Sequence, residues 1–174
     1  THGPPNDRNA HPHLDEAGRV AVIHNGIIEN FARLRRSLED AGVVFESDTD
    51  TEVVAHLLAA EVAAGAELRD AMAAVCRQLE GAFTLVAVHA EASDRVVAAR
   101  RNSPLVVGLG EGENFVASDV SAFISYTREA LEVSDGQIVE IGPDGVTLTD
   151  FNGAPADERR FHVDWDAQTA EKDG

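Results

Sequence analysis

Two hydrophobic rhythms divide the chain. Ile27, Ile28, Phe31, Leu34 and Leu38 recur three and four residues apart with Glu, Arg and Asp between them, and Val53, Val54, Leu57, Leu58 and Val62 repeat the pattern. That spacing lines one face of a helix. It predicts a helix over 27–40 closed by Gly42, and a second closed by Gly65. Thr49 and Glu52 have the Thr-x-x-Glu form of a capping box, which would open the second helix. A third helix is predicted over 67–80. Residues 19–24 read as a strand. After Gly81 the rhythm shortens to apolar, β-branched runs at 82–89, 95–100, 105–109 and 115–118, separated by Ser-Asp, Asn-Ser-Pro and Glu-Gly-Glu-Asn turns. These predict antiparallel strands, followed by a short helix over 120–126 and strands at 130–133, 137–141 and 146–149. Residues 1–16, with Pro4, Pro5 and Pro12, predict loop.

A strand, paired helices and then a strand meander imply an α+β layered fold rather than a parallel doubly wound one. The pattern breaks at Gly153. Residues 153–174 are polar and nearly aperiodic and hold the sole tryptophan, Trp165. The expected organisation is a domain over 1–152 and a linker or docking tail over 153–174.

Charge narrows the partners. Lys and Arg number 14 against 31 Asp and Glu, a formal charge of -17. Such a chain repels polyanions unless its basic residues cluster. Arg33, Arg35, Arg36 and the pair Arg100, Arg101 flank apolar stripes and read as solvated faces, so neither nucleic acid nor an anionic membrane is expected as a partner. No apolar run is long enough to span a bilayer, and 1–13 has no signal-peptide pattern, so a soluble, cytoplasmic protein is expected. The single cysteine, Cys76, excludes an internal disulfide framework. It lies beside the helical stripe Leu68, Met72, Val75 and Leu79 and reads as a core residue.

Three constellations could carry chemistry. His2, His11, His13 and His24 crowd the N-terminal stretch, but zinc needs three or four ligands on a scaffold and a proline-rich loop holds most of these. No metal or other cofactor is expected. Asp48 and Asp50 stand where a helix begins; one can cap it and the other can hold a cation such as an amino group, although acidic residues also occupy first turns for stability alone. Asn25-Gly26 lies between a strand and helical spacing. It is either a plain turn or a pair of N–H donors, one backbone and one side chain, that converge on a developing oxyanion.

Five words of the sequence together resemble one family: THGPPNDRNAHPH at 1–13, HNGIIENF at 24–31, SDTDTEV at 47–53, SPLVVGLGEGENFVASD at 103–119 and DWDAQTAEKDG at 164–174. In this order they are similar to the glutaminase domain of the glutamine:fructose-6-phosphate aminotransferases, the glucosamine-6-phosphate synthase family. The tail FHVDWD resembles actinobacterial members. The resemblance implies an N-terminal nucleophile hydrolase fold, an αββα sandwich of two antiparallel sheets between helical layers, here lacking its N-terminal strands. It also implies the reaction. An N-terminal cysteine attacks the glutamine side-chain amide, forms a thioester and releases ammonia, which a sugar-isomerase domain of the same full-length chain uses to convert fructose 6-phosphate into glucosamine 6-phosphate.

By the same resemblance Asn25 and Gly26 match the oxyanion hole, Asp50 the carboxylate that holds the glutamine α-ammonium, and Thr1 and His2 the α-carboxylate end of the pocket. The chain begins inside the family's Arg-Trp-Ala-Thr-His-Gly word, so the nucleophilic cysteine, the clamping arginine and the tryptophan beside it are absent. A fragment without glutaminase activity of its own is expected, from a full-length enzyme that is a homo-oligomer. The alternatives are a non-catalytic glutamine-sensing or regulatory module, and an interaction domain that docks through the Trp165 tail.

Overall fold

The structure, a computed structural model, describes residues 3–164. A loop containing a 3-10 turn at Asp7–Asn9 leads into β1 (His13–Leu14) and β2 (Val20–Ile28). The helices α1 (Phe31–Asp40), α2 (Thr51–Ala63) and α3 (Leu68–Gln78) follow. The chain then forms β3 (Gly81–His89), β4 (Val96–Arg101), β5 (Val106–Leu109), β6 (Asn114–Ala117), β7 (Glu129–Glu132), β8 (Gln137–Gly142), β9 (Gly145–Asp150) and β10 (Arg159–His162).

The strands form two antiparallel sheets, ordered β1-β2-β3-β4-β8-β9 and β10-β7-β5-β6. The α+β reading holds. Alternation along the central strands explains the layering. Val20, Val22, Phe83, Leu85, Val97 and Ala99 face the helices and join Val53, Val54, Leu58, Met72 and Cys76 in one core. Ala98 and Val139, on the opposite face, meet Val107 and Leu131 of the second sheet and Val133 just beyond it. Helix α2 is buried on several sides because α1 and α3 flank it. The outer face of the second sheet carries Phe123, Ile124 and Val163 around a 3-10 turn at Val120–Ala122.

The structure corrects three local expectations. Asn25-Gly26 does not join a strand to a helix. Strand β2 runs on to Ile28, with Asn25 opposite Thr84, Gly26 opposite Phe83 and Ile28 opposite Gly81. β3 starts at Gly81 and gives β2 a partner over its full length, so pairing overrides the local helical spacing. Helix α1 begins only at Phe31, because Asn30 turns the chain: its Nδ2 donates to Gln78 O at 2.8 Å and its Oδ1 accepts from Glu80 N at 3.0 Å.

The Thr49/Glu52 capping box is half made. Thr49 Oγ1 accepts from Glu52 N at 3.4 Å, but the Glu52 carboxylate accepts from Glu46 N, Ser47 N and Ser47 Oγ at 2.5–2.7 Å instead of reaching back to Thr49 N. Residues 153–164 are not uniformly irregular either, since β10 pairs with β7 from Arg159 opposite Glu132 to His162 opposite Glu129. All four β10 residues are exposed, so this edge strand leaves no alternation of apolar and polar residues to read. Trp165 lies outside the described residues.

Candidate functional site

A hollow of about 410 Å³ opens where the end of β2 meets the start of α2. Its walls include His24, Asn25 and Gly26 from β2, Thr49, Asp50 and Thr51 from the start of α2, and Asn9 and His11 from the N-terminal loop. The structure therefore brings together Asn25, Gly26 and Asp50, which the sequence separates by more than twenty positions. Thr1 and His2 lie outside the described residues.

Gly26 is glycine for a backbone reason. Its φ is +122°, and a Cβ there would lie 2.9 Å from Phe83 Cα and against the Ala82 carbonyl oxygen. Only a residue without a side chain permits β2 and β3 to stay paired at this point. β1 pairs with β2 only at Ala21 and Val22, so among the described residues no strand covers the outer edge of β2 beyond them. Alternate residues of a strand present their N–H groups to one edge. The Ile28 N–H on that edge donates to Asp50 Oδ2 at 2.8 Å.

Asp50 is 2% exposed and is the N-cap residue of α2, yet its side chain makes no capping bond. Its carboxylate instead ties α2 to β2 through Ile28 N, with His24 Nδ1 at 3.8 Å from Oδ1. The expected division of labour between the two aspartates changes accordingly. Asp48 is an exposed partner of Arg8 at 3.0 Å, while Asp50 presents a buried carboxylate at the helix start. The N–H groups of the first turn place positive potential there, which favours a carboxylate.

A polar network fixes this corner. Asn9 Nδ2 donates to Pro4 O at 2.9 Å and its Oδ1 accepts from Asp48 N at 3.0 Å, which clamps the N-terminal loop to the α2 approach. Behind it, His13 Nε2 and Thr49 Oγ1 are 3.2 Å apart, Thr49 Oγ1 and Ser47 Oγ 2.9 Å, and Glu52 links Ser47 to His56 Nε2 at 3.3 Å. Burial raises the cost of ionising Glu52, but hydrogen bonds from the Ser47 hydroxyl and the Glu46 and Ser47 N–H groups outweigh it and hold the carboxyl below its ordinary pKa. Burial depresses the pKa of His11 and His13, with neighbouring carboxylates opposing the shift. Sequence reading missed Asn9 and His24 as wall residues of the site. His24 alternates with Val20 and Val22 toward the helices, a placement that a metal-ligand search along the chain does not register.

Cys76 is in another place altogether. It is buried in the core beneath α3, and burial pushes its thiol up to about 12 despite the nearby Arg101 and Arg77. A thiol so placed does not supply a thiolate near neutrality. A second hollow, of about 500 Å³, lies between Val43, the far end of α2 and His89. Its lining contains neither Asn25, Gly26 nor Asp50, all three of which line the smaller hollow. A buried carboxylate at a helix start, in one hollow with the Asn25 side chain and the Gly26 backbone, suits a ligand that carries an ammonium and an amide.

Residues 5–125 match the sequence profile of the glutamine amidotransferase domain. The chain belongs to the glutamine amidotransferase family. This amidotransferase domain is 67% identical over 174 residues to a glutamine--fructose-6-phosphate aminotransferase (isomerizing) of Streptomyces coelicolor, a match covering 100% of the chain and 28% of the relative. The like-named protein of Corynebacterium diphtheriae is 57% identical over 176 residues, again 100% of the chain and 28% of the relative. The chain thus spans little more than a quarter of the length of these relatives. Among solved structures, the amidotransferase domain superposes on glutamine phosphoribosylpyrophosphate amidotransferase from B. subtilis with a TM-score of 0.70 at 25% identity, over 84% of this chain and 32% of that one. Its fold is that of the N-terminal nucleophile type of glutamine amidotransferase.

Proposed function

We propose that this chain is the glutamine-binding part of the glutaminase half of a glutamine:fructose-6-phosphate aminotransferase. The observation that carries the proposal is the convergence of Asn25, Gly26 and Asp50 on one hollow. Glutamine enters with its α-ammonium on the Asp50 carboxylate at the start of α2 and its α-carboxylate toward Thr1 and His2. Its side-chain amide then lies beside Asn25 and Gly26. A thiol gives its proton to a general base and attacks the amide carbon, the carbonyl oxygen becomes an oxyanion held by the two N–H donors, and collapse to a thioester expels ammonia as the base returns the proton to the departing nitrogen. Water cleaves the thioester to glutamate.

Ammonia passes to a sugar-isomerase domain, which makes glucosamine 6-phosphate from fructose 6-phosphate. The relationship to the Streptomyces aminotransferase over the whole chain supports that pairing. Residues 1–152, with β10 paired onto β7, form the glutaminase unit, and the residues after β10 lead toward the isomerase domain. The full-length enzyme is a cytoplasmic homo-oligomer, a setting in which its phosphorylated sugar substrate is retained by charge.

The only cysteine in the 174 residues is the buried Cys76, so the thiolate is supplied from outside them. This stretch alone is predicted to release no ammonia from glutamine beyond an Asp50→Ala control. In the complete gene product, Asp50→Asn keeps an acceptor for Ile28 N–H but loses the charge. It is expected to raise KM for glutamine at least ~30-fold, as loss of a buried charge partner costs about 2–5 kcal/mol. Asn25→Ala is expected to lower kcat by roughly 10²–10³, the usual effect of removing one oxyanion donor. Unchanged kinetics in both variants would refute the assignment. The second reading is a glutamine-sensing module, which needs only the hollow lined by Asn25, Gly26 and Asp50; glutamine binding by the complete gene product without ammonia release would select it.

A further inference from the structure

The oxyanion donor proposed above has no support from its own sheet. Asn25 faces away from the helices, between the exposed residues Ile23 and Ile27. Its register partner Thr84 is engaged elsewhere, with its hydroxyl 2.9 Å from both Ser103 Oγ and Pro104 O. Among the described residues the Asn25 amide has one hydrogen-bond partner: Nδ2 donates to Ser118 Oγ at 3.2 Å, across the gap between the two sheets.

Ser118 is well held. It directly follows β6, whose last residue Ala117 pairs with Val106. The next residue, Asp119, caps the 3-10 turn by accepting from Ser121 N at 2.8 Å. That turn is seated on the sheet by Phe123, which packs so closely over Gly108 that a Cβ there would lie 2.6 Å from the ring. The hydroxyl is therefore presented from a fixed backbone, while the side chain it holds stands on an exposed stretch of strand.

We infer that Ser118 is a positioning residue for the Asn25 amide. The inference rests on the reading of Asn25 as an oxyanion donor. An Asn side-chain nitrogen carries two protons. Ser118 takes one, which orients the amide plane and leaves the second for the oxygen of the reacting carbonyl. Without the anchor, rotation about the Asn25 side-chain torsions spreads the donor over several orientations, and preorganised electrostatic stabilisation is lost in proportion. The bond joins neutral exposed groups, so its role in stability is small. Its effect belongs to the chemical step and not to glutamine binding.

The test is steady-state glutamine hydrolysis by the complete gene product in wild-type, Ser118→Ala, Ser118→Thr and Asn25→Ala forms, with a melting temperature for each. Ser118→Ala is expected to lower kcat about 10-fold, less than Asn25→Ala, with KM within twofold of wild type and no change in melting temperature. Ser118→Thr keeps the hydroxyl, has room for its methyl beside the adjoining hollow of about 260 Å³, and is expected to stay within threefold of wild type. Equal loss in the Ala and Thr variants, a raised KM at unchanged kcat, or full activity in Ser118→Ala would overturn the inference while leaving the glutaminase reading intact. A wild-type protein that releases no ammonia, or an Asn25→Ala protein as active as wild type, would instead remove the reading on which it stands.

Discussion

Gly26 shows how a single residue joins fold to chemistry. Its φ of +122° and the closeness of the Phe83 backbone mean that a methyl group there strains β2 and pushes it from β3. Gly26→Ala is therefore predicted to destabilise the fold by at least about 1–3 kcal/mol, read as a lower denaturation midpoint, and to lower kcat because the adjoining N–H is displaced. A variant as stable and as active as wild type would show that the close approach is not real. Asn25, Gly26 and Asp50 stand out in the sequence through residue type and the resemblance of HNGIIENF and SDTDTEV to known words, and the three line one hollow. What it did not reveal was the geometry around them. Asn-Gly is a turn signal, and nothing local tells that β3 will pair through it. Nor does SDTDTE tell which aspartate is buried; that depends on Arg8 drawing Asp48 to the surface and Ile28 N–H holding Asp50 below it.

At the scale of elements, the start of α2 is the organising feature. Glu52 collects donors from Glu46, Ser47 and His56, while His13 closes on Thr49, so the loop that presents Asp50 is tied to the Glu52 carboxylate and the His13 ring. The pKa of each of Glu52, His11 and His13 is depressed in the folded state. The unfolded chain takes up protons first as pH falls, so stability is full above the ordinary histidine value and is lost below it. Denaturant midpoints are predicted to be level above about pH 7, to fall below about 6.5 as the histidines protonate in the unfolded state, and to fall again below about 4.5 with Glu52. Replacing His13 with Gln should flatten the upper part of that fall, and a profile flat from pH 8 to 5 in wild type would contradict the account. The strands of the meander were legible because Asn-Ser-Pro, Ser-Asp-Gly and Pro-Asp-Gly punctuate them. The edge strand β10 was not, because its four exposed residues carry no buried face to betray it.

For the molecule as a whole, the two sheets overlap incompletely. The helices cover one face of the six-stranded sheet, and the second sheet covers β4 and β8 on the other, but Leu14, Ile23, Ile27 and Val88 on β1–β3 stay exposed. Contiguous exposed apolar surface binds hydrophobic dyes. The 174-residue chain is predicted to bind such a dye, and Ile23→Thr with Val88→Thr to reduce that binding; an unchanged signal would show that the dye binds elsewhere. Layered α+β architecture followed from the order of rhythms along the chain. The split of the meander into two sheets did not, because it depends on Asn102, with φ +50°, and Ser103-Pro104 carrying the chain from β4 to the other layer.

The central claim is that Asn25, Gly26 and Asp50 embrace one amino acid, and a crystal structure of the complete gene product with glutamate bound tests it most directly. The α-ammonium is expected within hydrogen-bond distance of the Asp50 carboxylate, with the side-chain carboxylate facing the Asn25 and Gly26 N–H groups. Glutamate seated elsewhere, for instance in the larger hollow beside His56 and His89, would contradict it.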